Sequence, residues 1–160
     1  MTESEFVTCV ESDDAIGVED QLRKGLNIDG LISGWTPLIH AAVRNSFAVL
    51  KLLLVEGANV NAQTSAGDTA LHWSALEGHT KCAEALLEHG AAVDQQNNVQ
   101  STALILAATS GKVEALKLLL KHGADASHVN ADGKNALDCA TEENYVECIE
   151  VLLREMAKSS

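Results

Sequence analysis

A threonine returns every 33 residues in this chain: Thr36, Thr69 and Thr102, with Asn135 one period further on. Leu38, Leu71, Leu104 and Leu137 keep the same interval, and so do Gly57, Gly90 and Gly123. This periodicity limits the possible folds more than any other feature. A unit of this length cannot cover its own apolar side, so copies must stack and bury it between them. A weaker copy precedes the others and ends at Gly25. From Gly25 to Gly57 the interval is 32, so the first connection is one residue short.

Each unit reads as two helices and a turn. Thr36, Thr69 and Thr102 stand where a helix needs an N-cap hydroxyl, and Pro37 takes the first helical position, where its missing N–H costs nothing. An Ala-rich segment follows, whose small side chains allow neighbouring units to approach. The second segments, FAVLKLLLVEG, TKCAEALLEHG, VEALKLLLKHG and YVECIEVLLRE, carry apolar residues at helical spacing. Gly57, Gly90 and Gly123 then supply left-handed helix ends. Polar stretches such as NAQTSAGD and DQQNNVQS read as turns or hairpin fingers. The expected organisation is one domain of five units: an N-terminal cap at 1–30, repeats at 31–66, 67–99 and 100–132, and a C-terminal cap at 133–160. Glu142, Glu143, Glu147 and Glu150 suit the wet outer side of that last cap.

Composition removes several function classes. Eleven Lys and Arg against 23 Asp and Glu give a net charge of −12, which repels phosphate and argues against a nucleic-acid partner. No apolar run approaches a membrane span, and the acidic start MTESEFVT does not read as a signal peptide. Cys9, Cys82, Cys139 and Cys148 form no CxxC pair and read as reduced core thiols, which places the chain in the cytoplasm, the nucleus or both. No nucleophile has a base at a meaningful spacing, and no phosphate-binding glycine motif occurs. His89 and His122 sit beside helix-ending glycines, where a cation is favoured. Neither an enzymatic activity, a metal nor a cofactor is expected.

GWTPLIHAA and the LL-x-x-G-A segments resemble the ankyrin repeat, from about Phe6 to about Arg154. That resemblance implies an all-α solenoid of stacked helix-turn-helix units with β-turn or hairpin fingers. It also implies a non-enzymatic module that binds a partner protein on its concave side. The family's structural histidine is kept only as His72; Ile39, Ile105 and Asp138 replace it. Gln100 stands where the family has Gly. Asn61 matches a position that is hydroxylated in some members and stabilises the turn in most.

Only two Trp occur in a chain with 3% aromatic residues, and both fall beside the repeated motif. Trp35 precedes a cap. Trp73 lies one unit plus five residues further on, roughly level with His40. Two readings stand side by side: packing between repeats, or an exposed patch of Trp35, His40 and Trp73 that anchors a partner. By position the binding face also takes Arg44, Asp68, Glu77, Leu106, Ser110, Glu142 and Glu143. The partner expected is another protein presenting a basic or apolar segment, and the chain itself is expected to be monomeric. GWTPLIHAA followed by LHW is also similar to the ankyrin domains of euchromatic histone lysine methyltransferases, which implies a methyl-lysine cage as one alternative. There His40 and Val43 replace a cage Trp and Glu. A regulatory or inhibitory subunit of an enzyme such as a kinase is the other alternative.

Overall fold

The structure, a computed structural model, describes residues 3–158. Within them ten helices run in five pairs: α1 (Glu3–Glu11) with α2 (Ala15–Arg23), α3 (Pro37–Arg44) with α4 (Phe47–Val55), and α5 (Ala70–Glu77) with α6 (Thr80–Glu88). Then come α7 (Ala103–Thr109) with α8 (Val113–Lys121), and α9 (Ala136–Glu142) with α10 (Val146–Lys158). The all-α repeat solenoid that the resemblance implies is what forms. No helix among the described residues is long and apolar enough to cross a membrane.

The repeated residues do what their chemistry requires. Thr36, Thr69, Thr102 and Asn135 each accept a hydrogen bond from the N–H three residues on. Thr69 with His72, and Asn135 with Asp138, close reciprocal capping boxes. Gly57, Gly90 and Gly123 follow the second helices with φ of 89°, 84° and 84°, a region closed at little cost only by glycine.

The core is aliphatic. Leu50, Leu53, Leu86, Leu116, Leu119 and Leu152 bury fully from the second helices, and Ala41, Ala42, Ala75, Ala107, Ala108 and Ala140 from the first. Alanine lets α3, α5, α7 and α9 pack more closely on one another than the second helices do. The stack therefore curves toward the first helices, which line its concave side together with the fingers. Side chains also tie successive repeats: Asp29 Oδ1 accepts from Asn59 N–H (2.9 Å), Asn61 Oδ1 from Ala92 N–H (2.8 Å) and Asp94 Oδ1 from Asp125 N–H (3.0 Å). Asn61 is exposed, yet its carbonyl is one rung of this ladder. All four cysteines are free, and Cys82, Cys139 and Cys148 are buried. Burial pushes the Cys82 thiol up to about 11, with Asp13 adding to the shift.

Two finger geometries occur. In the second, third and fourth fingers the side-chain oxygen of Thr64, Asn97 or Asn130 accepts two backbone N–H groups of its own loop. Each of these loops turns through a left-handed residue: Gly67 (φ 81°), Gln100 (φ 58°) and Gly133 (φ 73°). The first finger has lost one residue and closes more tightly. Ile32 and Trp35 exchange both backbone hydrogen bonds across Ser33 (φ 50°) and Gly34 (φ 87°), a two-residue hairpin turn.

Gln100 therefore keeps the turn that the other repeats build with Gly, at the cost of a left-handed side-chain residue. Gln100→Gly is expected to raise stability by about 0.5 kcal/mol. The removed strain of about 1 kcal/mol exceeds the added chain entropy of the unfolded state. Urea or thermal unfolding reads this directly, as a rise of roughly 1–2 °C in Tm.

Candidate functional site

Trp35 ends the first finger, directly before the cap of α3, so its side chain leaves the finger foot toward the first helices. Its ring lies 5.4 Å from the His40 ring and 5.2 Å from that of Trp73, tilted by 50° and 39°. Phe6 of α1 meets His40 edge-on at 6.0 Å. An aromatic run thus crosses the first three repeats along the concave side. Both indoles are half-buried and pack on the core, and the Trp73 Nε1–H is enclosed with no hydrogen-bond partner among the described residues.

The structure brings Trp35, His40 and Trp73 together, but it corrects the role expected of His40. His40 is only 9% exposed, and its Nε2–H donates to the Ile32 carbonyl at 2.8 Å. The Ile32 carbonyl also accepts the Trp35 N–H, and the added bond turns the imidazole inward rather than toward a partner. At 5.2 Å, with their planes tilted by 39°, Trp35 and Trp73 cover part of each other's faces.

The remaining expected residues divide by availability. Arg44 is exposed and pairs with Glu11 at 2.9 Å, and Glu142 pairs with Lys134 at 2.7 Å. Asp68 Oδ1 accepts from Asn97 Nδ2 at 2.7 Å. Glu77 and Glu143 are exposed and carry no ion pair among the described residues. Leu106 and Ser110 are half-buried on α7 and its cap. Ser101 and Cys139, on the same side of the repeats, are buried, Cys139 as a core thiol. Both are small enough to be covered by the adjacent repeat.

Between α5 and α7 a cleft of about 120 Å³ opens beside the Trp pair, lined by Asp68, His72, Trp73, Leu76, Asn97 and Leu106. His72 forms its inner wall. Its Nδ1 accepts the Thr69 N–H at 3.2 Å and lies 2.9 Å from the Thr69 hydroxyl, while Nε2–H donates to the Ser101 carbonyl at 3.1 Å. Burial holds its pKa below the usual 6.5; the Ser101 carbonyl and Asp68 act in the opposite sense. Asn97 was not singled out from sequence, although its alignment with Thr64 and Asn130 at the finger base marks it as a side chain turned toward the loop. A larger groove of about 580 Å³ lies on the opposite side, between α8 and α10. Of its cations, Lys117, Arg154 and Lys158 are each paired with neighbouring glutamates. Among the described residues no cluster of His, Cys, Asp and Glu could hold a metal ion.

A family model described as ankyrin repeats in three copies matches residues 8–97 and 90–159. The chain is 48% identical over 59 residues to the B-cell lymphoma 3 protein homolog of Mus musculus, covering 36% of this chain and 13% of that protein. It is 37% identical over 60 residues to the ankyrin repeat protein nuc-2 of Neurospora crassa, covering 36% and 6%. It is 40% identical over 53 residues to the ankyrin repeat protein OPG189 of monkeypox virus, covering 32% and 9%. These alignments span a small part of each relative, so the similarity extends to the repeats and not to the whole proteins.

Proposed function

The chain belongs to the ankyrin-repeat family, whose members are protein–protein interaction modules, and from that premise we propose that it binds a segment of a partner protein along its concave side. Trp35 and Trp73 form the anchor surface, and apolar residues of the partner lie against them and against Leu106. Basic residues of the partner are drawn to Glu77 and Glu143. The reading is that of a monomeric, non-enzymatic module in a reducing compartment, cytoplasm or nucleus, and the three buried free thiols support the compartment.

One observation carries the proposal. The only two indoles of the chain meet across a repeat boundary, tilted by 39°, beside the cleft between α5 and α7. Indole is the side chain most enriched among binding hot spots. A net charge of −12 attracts basic segments and speeds their encounter.

Peptides selected from a random display library test this. Because Trp35 and Trp73 are the only Trp, a Trp-free peptide that docks on the concave side shifts the intrinsic emission. Leu106→Glu is expected to weaken such a peptide at least tenfold, with an unchanged far-UV spectrum. Selected peptides that leave the emission unaltered and bind Leu106→Glu as well as the parent would contradict the reading.

A further inference from the structure

The 33-residue offset gives every lining residue of the α5/α7 cleft a counterpart one repeat earlier. Asp68, His72, Trp73, Leu76, Asn97 and Leu106 correspond to Trp35, Ile39, His40, Val43, Thr64 and Trp73. At the earlier junction the Trp35 indole rests on His40 and Trp73. These two are the counterparts of Trp73 and Leu106. The cleft between α3 and α5 is therefore filled by the chain's own indole. At the next junction Asp68 replaces that indole, its carboxylate held by Asn97 Nδ2 at 2.7 Å, and about 120 Å³ stays open.

We propose that the α5/α7 cleft is a specificity pocket for one aromatic side chain of the partner, an indole above all, seated on Trp73 and Leu106 as Trp35 is seated on His40 and Trp73. The inference rests on the binding reading above and narrows it to a residue class. Three observations favour an indole. Trp73, Leu76 and Leu106 supply apolar contact. The second carboxylate oxygen of Asp68 has no partner among the described residues and can accept an indole N–H. The filled junction shows that a ring of this size fits such a cleft while remaining partly exposed, as Trp35 does. A ring docked there would extend the aromatic run Phe6–His40–Trp35–Trp73 by one member.

The test uses ¹⁵N-labelled protein titrated with N-acetyl-tryptophanamide, and in a parallel arm with N-acetyl-lysinamide. Saturable shifts at the Trp73 indole N–H and the Leu76 and Leu106 amides, with roughly millimolar affinity, are expected from the tryptophan probe alone. Asp68→Trp plugs the cleft from within and is expected to abolish those shifts. It should also weaken about tenfold those display-selected peptides that carry a Phe, Tyr or Trp, while leaving Tm equal or higher. Three results overturn the pocket: no shift at these positions, shifts with the lysine probe only, or a folded Asp68→Trp that binds the tryptophan probe as the parent does. The wild-type titration decides even where Asp68→Trp fails to fold. Display peptides that shift the intrinsic emission while the tryptophan probe leaves the cleft untouched sink the pocket and spare the binding reading. The reverse pattern sinks the binding reading and spares the pocket.

Discussion

Trp73→Ala is expected to lower folding stability by about 3 kcal/mol and to weaken concave-side peptides by roughly thirtyfold or more. The stability loss follows from position. Trp73 touches Trp35 in the preceding repeat and lines the cleft against Leu106 in the following one, so its removal loosens two repeat junctions. A fully buried Trp costs about 3–5 kcal/mol on truncation. Here the ring is half-buried and its enclosed N–H lacks a partner, which places the loss at the low end. Trp73→Phe separates the two effects. It keeps a ring against Trp35 and removes the unsatisfied donor, so its stability is expected to stay within about 1 kcal/mol of the parent. Trp35→Ala uncovers one repeat junction, that between α3 and α5, rather than two, and should cost about half as much as Trp73→Ala. Urea unfolding followed by far-UV circular dichroism, with peptide Kd measured on the same proteins, reads both quantities. A Trp73→Ala protein with parental stability and parental Kd removes the aromatic stack from the site.

The repeat period made the fold legible because each recurring residue has one local task that its own chemistry fixes. A hydroxyl three residues before an N–H caps a helix whatever surrounds it. A glycine after a leucine-rich turn closes that helix by the same local logic. The meeting of Trp35, His40 and Trp73 was legible too, since one period plus five residues brings level two positions that the chain separates by 38. Which way His40 turns was not legible. That depends on where the tight first finger places the Ile32 carbonyl, which accepts both the Trp35 N–H and the His40 Nε2–H, and this position is a consequence of a deleted residue rather than of any residue present. The period also says nothing about which charges pair. Glu142 and Glu143 are neighbours in sequence, yet Glu142 is held by Lys134 and Glu143 has no ion pair among the described residues. The cleft is a difference between two repeats, a Trp at one position and an Asp at the next. Its meaning emerges only when the first is seen to fill the space that the second leaves open.

His72→Ala is expected to be comparably damaging, at about 3 kcal/mol, and for a different reason. The imidazole is 1% exposed and satisfies three groups at once: the Thr69 N–H, the Thr69 hydroxyl and the Ser101 carbonyl. Alanine leaves a cavity and strands buried polar atoms at the foot of the third finger. His72→Ile is expected to be milder, because Ile39 and Ile105 fill the equivalent sites fully buried. The same contacts set a pH dependence. Burial depresses the folded-state pKa of His72 below 6.5, so the unfolded chain takes up this proton first as pH falls. Its contribution to stability is therefore complete above about pH 6.5 and is lost progressively as pH drops below that value toward the folded-state pKa. The urea midpoint should fall between about pH 7.5 and pH 5.5 in the parent and fall less in His72→Ile. Because the folded His72 stays neutral over this interval, affinity for the tryptophan probe should hold constant while stability falls. A His72→Ile midpoint that tracks the parent at every pH assigns the acid loss to other groups.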